Sequence, residues 1–219
     1  MATDTLPRRL LIGLVPVLVF CAISYLWIDR PVALWFKANL VGFWSVLFHR
    51  ITDLGLGGVW LVPAGIGLIV FRVLQVRART DLAERRLRVS ANGATFLFVS
   101  VAGSGLLVDA IKGVIGRLRP YELFQHQLYG FAPLSVAWSH TSFPSGHGQT
   151  AFAALSALAV ALPRWRIPFY ALAGLIAASR VIISVHYLSD VAMGAYLGLA
   201  GTLLLARLFA ARGWALAVD

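Results

Sequence analysis

The chain has 219 residues, of which 59% are hydrophobic and only 13% are charged. A soluble domain carries about 25% charged residues, so this composition excludes an ordinary soluble protein and indicates a single integral membrane domain over residues 1–219. The formal net charge is +10, but the arginines lie at the ends of apolar runs. Membrane topology therefore explains the excess better than a nucleic-acid partner. The single cysteine, Cys21, excludes an internal disulfide and a cysteine-based zinc cluster.

The first apolar run covers residues 10–28 and follows two arginines. Its length is enough to span a bilayer core of about 30 Å. A cleaved signal peptide is the alternative, but the apolar region of a signal peptide is typically about 7–15 residues long. We therefore expect a retained anchor that ends at Asp29-Arg30-Pro31.

Residues 32–53 have a different pattern, in which aromatic side chains alternate with cations and polar groups. Such a mixture is typical of a helix that lies in the membrane interface. A tilted span of low hydrophobicity is the alternative.

Five further apolar runs predict five more spans, at residues 56–74, 91–111, 147–162, 168–183 and 187–209. Residues 72–88 contain six arginines against Asp81 and Glu84. We expect this segment to be a solvated loop, with an amphipathic surface helix as the alternative. The predicted fold is therefore all-α and polytopic, with six transmembrane helices plus an interfacial helix.

Six spans place both termini on the same side of the membrane. If that side is cytoplasmic, 12 of the 19 lysines and arginines lie on it. This bias agrees with the positive-inside rule. We therefore predict a multi-pass protein with both termini in the cytoplasm.

A polar, glycine-rich stretch at residues 139–148 precedes the fourth span. Ser145 is a good helix N-cap, and Gly146 lets the backbone approach an anion closely. His147 adds a side chain that titrates near neutral pH. Taken alone, the stretch is better explained by a simple capped turn.

Two more polar clusters are predicted to lie on the same outer face. One contains the cations Lys112, Arg117 and Arg119, and the other contains Arg180, His186 and Asp190. A carboxylate four residues after a histidine can orient the imidazole, although a buried structural pair would have the same spacing. Together the three clusters contain phosphate-binding groups, a nucleophile and an acid for phosphoryl transfer without a metal ion.

These residues resemble the motifs of the type 2 phosphatidic acid phosphatase (PAP2) superfamily. Lysine, six residues and Arg-Pro are matched by Lys112 and Arg119-Pro120, and Pro-Ser-Gly-His is matched at 144–147. Ser-Arg, five residues, histidine, three residues and aspartate are matched by Ser179-Arg180, His186 and Asp190. The motif region covers residues 112–190.

The resemblance implies a PAP2-like helical bundle and a phosphatase that needs no metal or other cofactor. It implies that His186 forms a phosphohistidine, that Asp190 orients it, and that His147 acts as acid and then activates water. The phosphate-binding set that it implies is Lys112, Arg119, Ser145, Gly146 and Arg180.

The resemblance also implies that the substrate is a membrane lipid phosphate in the bilayer, dephosphorylated at the periplasmic face of the bacterial inner membrane. The candidates are phosphatidylglycerophosphate, phosphatidic acid, undecaprenyl diphosphate and a lipid A phosphate. A lipid phosphotransferase with the same site is the alternative within enzymes, and a small membrane transporter is the alternative from another class. Outside the motifs, we expect Asp109 to hold Lys112 and Arg117 to contact a head group. The sequence predicts no oligomeric state.

Overall fold

The computed structural model describes residues 5–216, which form nine α-helices. They are α1 (Thr5–Ile23), α2 (Asp29–Asn39), α3 (Gly42–Asp53), α4 (Gly57–Val76), α5 (Asp81–Ile115), α6 (Pro120–His126), α7 (Gly146–Ala161), α8 (Arg166–Ile182) and α9 (Leu188–Ala211). A π-helical segment, Ser24–Ile28, joins α1 to α2, and short 3₁₀ helices occur at Trp138–His140 and Pro163–Trp165. The predicted all-α class is confirmed.

The N-terminal part of the chain differs from the prediction in two ways. The helix does not stop at Asp29, because the π-helical segment carries it into α2. The predicted interfacial helix at residues 32–53 is two helices, α2 and α3, separated by extended backbone at Leu40 and Val41. At the break, the Asn39 side-chain amide donates a hydrogen bond to the carbonyl of Trp35 at 2.7 Å, which caps the end of α2.

The arginine-rich segment at residues 72–88 is mostly helical, so the expected loop is wrong. Helix α4 continues to Val76, and α5 begins at Asp81 behind a Thr80 N-cap, whose hydroxyl accepts from the amide of Ala83 at 3.2 Å. With 35 residues, α5 is about 52 Å long and exceeds a bilayer of about 40–45 Å. Charged residues can therefore occupy its first turns because those turns extend beyond the hydrocarbon.

Four helical segments among residues 5–216 are long and apolar enough to cross a membrane, namely Thr5–Asn39, Gly42–Val76, Asp81–Ile115 and Leu188–Ala211. Large apolar side chains on them face outward, as in Leu11, Val62 and Leu106. This exposure is expected where lipid covers the protein surface. Helices α7 and α8 have 16 and 17 residues, so the six predicted crossings stay a prediction.

Helix α7 lies at the centre of the bundle, packed against α5, α8 and α9. Gly194 on α9 allows the closest approach, because a Cβ atom there would overlap the carbonyl oxygen of Ser145. Buried polar side chains add hydrogen bonds between helices, as where Gln149 on α7 donates to Ser104 on α5 at 2.6 Å. The N-terminus of α7 is thereby fixed against the first turns of α9.

Candidate active site

The three predicted polar clusters meet at one end of the bundle. Lys112 lies on the last turn of α5, and Arg119 lies in the loop that follows. Residues 145–147 form the start of α7, Arg180 lies on the last turn of α8, and Asp190 lies on the first turn of α9. Packing of these helix ends brings together groups that are far apart in the sequence.

His186 and Asp190 form a buried pair at the start of α9. His186 precedes the helix, and its Nδ1 atom lies 3.5 Å from Oδ2 of Asp190. The same carboxylate oxygen accepts hydrogen bonds from the Ser142 hydroxyl at 2.5 Å and from the Tyr187 amide at 2.9 Å. Nδ1 also lies 3.4 Å from the Ser142 hydroxyl, so a proton on Nδ1 has acceptors in Ser142 and Asp190, and Nε2 is then the unprotonated nitrogen. The predicted His–Asp pair is therefore present, held in one orientation.

Burial lowers the pKa of His186 to about 4, and the positive charge of Arg119 acts in the same direction, against the raising effect of the hydrogen bond with Asp190. Removal from water disfavours the charged imidazolium. The imidazole is consequently neutral at pH 7, which is the state that a nucleophilic nitrogen requires.

Arg119 places a cation directly beside Nε2 of His186. Its Nη1 atom lies 3.4 Å from Nε2 of His186, while Nε donates to the Trp138 carbonyl at 2.8 Å and Nη2 donates to the Thr141 carbonyl at 3.2 Å. The backbone of the loop thus holds the guanidinium at several of its donors. A phosphate bound to this fork would have its phosphorus close to the imidazole.

Lys112 and Arg180 provide two further cations at this end of the bundle. The ammonium of Lys112 lies 3.0 Å from Oδ1 of Asp109, the contact that we expected between these side chains. The guanidinium of Arg180 donates to the Thr52 hydroxyl at 2.8 Å. Among the described residues, its buried Nε atom has no hydrogen-bond partner, so a donor remains for an anion.

The N-terminus of α7 uses Ser145 differently from the prediction. The Ser145 amide, one of the two amides expected to bind phosphate, donates to the Asp190 carbonyl at 2.9 Å. The Ser145 hydroxyl caps the helix by accepting from the amide of Gly148 at 3.3 Å. The amides of Gly146 and His147 are the remaining unpaired donors expected at a helix start. A Cβ atom on Gly146 would lie 3.0 Å from the Lys112 ammonium, so that cation adjoins the helix end.

His147 lies beside the other predicted site residues. Its imidazole packs so closely on Gly55 that an added Cβ atom there would be 2.9 Å from Cδ2 of the ring. The ionisable groups around it are Arg180, His186, Lys112 and Arg119. His147 also lines a cavity of about 430 Å³ between α4, α5 and α7, whose other walls are largely apolar. The His147 imidazole therefore lies between the cations of the site and this largely apolar cavity.

Arg117 was expected to contact a head group, but the structure buries it. Its side chain is 2% exposed and forms ion pairs with Asp190 and with Asp29 at 2.8 Å. Sequence reasoning missed Asp29 as part of the site. The available signal was a carboxylate at the end of an apolar run, which is costly unless a cation pairs with it.

Comparison with protein families and sequences agrees with the resemblance drawn from the motifs. The model of the PAP2 superfamily matches residues 93–214. A lipid A 1-phosphatase of Rhizobium etli is 40% identical over 182 residues, covering 81% of this chain and 75% of the relative. A second lipid A 1-phosphatase, from Rhizobium johnstonii, is 42% identical over 127 residues, 58% of this chain. That match spans 52% of the relative, about half of its length.

Two crystal structures share the fold. One is the first transmembrane PAP2 type phosphatidylglycerolphosphate phosphatase from Bacillus subtilis, with a TM-score of 0.65, 22% identity and coverage of 95% of this chain and 98% of that one. The other is Aquifex aeolicus LpxE, with a TM-score of 0.59, 21% identity and coverage of 82% and 94%. The matches support the prediction of a phosphoric-ester hydrolase in a membrane. The three motifs, the family model and the Rhizobium relatives lead to one conclusion, that this chain belongs to the PAP2 superfamily.

Proposed function

We propose that this protein is a metal-independent lipid phosphatase that removes phosphate from a membrane lipid through a phosphohistidine on His186. The observation that carries the proposal is the position of the Arg119 guanidinium, 3.4 Å from Nε2 of His186. The two residues are 67 positions apart in the sequence and meet only through the fold, which supports a phosphate-binding role for Arg119 beside a nucleophilic His186. A purely structural His–Asp pair would not need that cation.

In the first step, Nε2 of His186 attacks phosphorus in line with the ester oxygen. The N–P bond forms as the P–O bond to the lipid breaks, and a protonated His147 gives its proton to the departing oxygen. Asp190 stabilises the positive charge that develops on the His186 ring. Lys112, Arg119, Arg180 and the amide of Gly146 stabilise the phosphoryl oxygens, and the Ser145 hydroxyl is the part of that residue still able to contribute.

In the second step, a water molecule attacks the phosphohistidine. The now neutral His147 accepts a proton from this water, the N–P bond breaks, and inorganic phosphate leaves. His186 returns to its neutral state, and His147 is again protonated for the next cycle. The balance of atoms requires only water as a co-reactant.

The substrate is an amphiphile whose phosphate reaches the membrane surface while its tails stay in lipid. The largely apolar cavity is lined in part by His147, the proposed acid for the leaving oxygen, and such a lining suits a lipid alcohol or a lipid phosphate as leaving group. Among the four candidate lipid classes, a lipid A 1-phosphate is tested first, because the two Rhizobium relatives carry the name lipid A 1-phosphatase. Phosphatidylglycerophosphate, phosphatidic acid and undecaprenyl diphosphate complete the panel.

The proposed location is the inner membrane of a bacterium, with the site at the periplasmic surface. Helix α5 connects the arginine-rich end of the bundle to Lys112, so the site lies at the end opposite that arginine excess. The positive-inside rule places the arginine-rich end in the cytoplasm. A cysteine-accessibility assay on intact cells tests this orientation. Labelling of a cysteine introduced at Asp81 by a membrane-impermeant reagent would contradict it.

The decisive experiment measures release of inorganic phosphate by purified protein in detergent, with a chelator present. We expect turnover of at least one lipid in the panel, inhibition by vanadate, and no detectable turnover in His186→Ala. Activity that survives His186→Ala would exclude His186 as the nucleophile. Activity that needs an added divalent ion would replace this mechanism with a metal-assisted one.

A further inference from the structure

A buried guanidinium links the catalytic pair to the N-terminal helices. One terminal nitrogen of Arg117 donates to Oδ1 of Asp190 and to the Ser189 hydroxyl, and the other donates to Oδ2 of Asp29. The ring of Tyr187 lies against the guanidinium, with its centroid 4.5 Å from Cζ. Arg117 thus bridges two carboxylates that are both fully buried.

The two oxygens of Asp190 have separate partners. Oδ1 accepts from Arg117, whereas Oδ2 accepts from Ser142 and faces Nδ1 of His186 at 3.5 Å. Arg117 therefore fixes the edge of the carboxylate that is turned away from the imidazole. The imidazole therefore faces the edge of Asp190 that Arg117 does not occupy.

Asp29 is held as firmly as Asp190. Its Oδ1 accepts from the Ser24 hydroxyl at 2.7 Å and from the Ser189 amide at 3.1 Å, so the π-helical segment and the first turn of α9 both orient it. In the sequence, Asp29 precedes residues 93–214, the part of the chain that matches the family model. A residue from the N-terminal helices is therefore built into the surroundings of the His–Asp pair.

We propose that Asp29 and Arg117 are positioning residues that set the orientation and the charge of Asp190 for catalysis. This inference rests on the proposed phosphohistidine mechanism. The group contains one cation and two carboxylates, so it keeps one net negative charge. If Asp29 were neutral, Arg117 would cancel the charge of Asp190, and the carboxylate would stabilise the positive His186 ring less in the transition state. Asp29 therefore sustains the negative charge that His186 meets.

The variant Asp29→Asn tests the inference because it removes the charge with almost no change in shape. We expect kcat to fall about tenfold or more. KM should stay within about twofold, because Asp29 and Arg117 do not contact the substrate. The matched control is Asp81→Asn, the same substitution at an exposed position at the other end of α5. This control is expected to keep both constants.

Arg117→Lys provides a second variant, which decides the matter if Asp29→Asn does not fold. It keeps the positive charge but loses the fork that reaches two carboxylates, so kcat is expected to fall with KM unchanged. If the unmodified protein releases phosphate and both variants have the same kcat as that protein, this inference alone is overturned. A wild-type protein that releases no phosphate would overturn the proposed function and this inference with it.

Discussion

Replacing Asp190 by asparagine removes a charge from the centre of the proposed mechanism while preserving most of its hydrogen bonds. The carboxylate is fully buried, and Oδ2 lies 3.5 Å from Nδ1 of His186. Asparagine has nearly the same shape and can still accept hydrogen bonds from the Ser142 hydroxyl and the Tyr187 amide. The change therefore removes the charge that faces His186, together with the negative partner of Arg117.

The size of the effect follows from this distance. With an effective dielectric constant of about 20, two unit charges 3.5 Å apart interact by about 5 kcal/mol. Since each 1.36 kcal/mol changes a rate about tenfold, loss of that stabilisation lowers kcat by about 10³- to 10⁴-fold. Phosphate binding depends on other groups, so KM is expected to change little.

Initial rates of phosphate release at a series of lipid concentrations give kcat and KM separately. Gel filtration and the midpoint of thermal unfolding show whether the variant is folded, because the loss of one partner of the buried Arg117 side chain also reduces stability. A folded Asp190→Asn protein whose kcat falls less than about tenfold would refute the electrostatic role that we give to this carboxylate. The His186–Asp190 contact would then be structural.

Two further substitutions test the surroundings of the pair. Ser142→Ala removes the hydroxyl that donates to Asp190 at 2.5 Å. Because a hydrogen bond to a charged group contributes about 1.5–3 kcal/mol, kcat in the phosphate-release assay is expected to fall about 10- to 100-fold, and an unchanged kcat would contradict this. Gly55→Ala introduces a Cβ atom 2.9 Å from Cδ2 of His147, so the ring must shift and kcat is expected to fall about 10- to 100-fold. Gly58→Ala is the matched control, since nothing lies within 4 Å of its added Cβ, and equal rates in the two glycine variants would exclude the steric effect on His147.

The sequence predicted the residues of the candidate site because they are carried by short, fixed spacings. Lys112 and Arg119 follow one another within a single helix end and loop, and His186 and Asp190 are four residues apart. Such local patterns predict which residue types are present and which face they share. Composition and hydropathy likewise determined that the chain is all-helical and enters a membrane.

Helix boundaries were predicted less well wherever polar residues continue a helix outside the hydrocarbon. The arginines at residues 72–88 and the polar pattern at residues 32–53 suggested a loop and one interfacial helix. Charged side chains are compatible with a helix once it has left the apolar core, so hydropathy alone does not locate its end. The long α5 and the break between α2 and α3 are therefore features that the tertiary structure supplied.

Only the tertiary structure decided how the predicted groups are held in place. Asp29 and Arg117 are 88 positions apart, and no spacing in the sequence relates an acid after the first apolar run to an arginine beyond the third. The pair forms because a buried carboxylate and a buried guanidinium are each costly alone, and packing of the N-terminal helices against α9 brings them together. Similarly, the sequence alone leaves the Ser145 amide available for phosphate, whereas the packing of α7 on α9 pairs it with the Asp190 carbonyl. The sequence thus determined which functional groups the protein has, whereas the packing of distant helices decided which of them are available for the reaction.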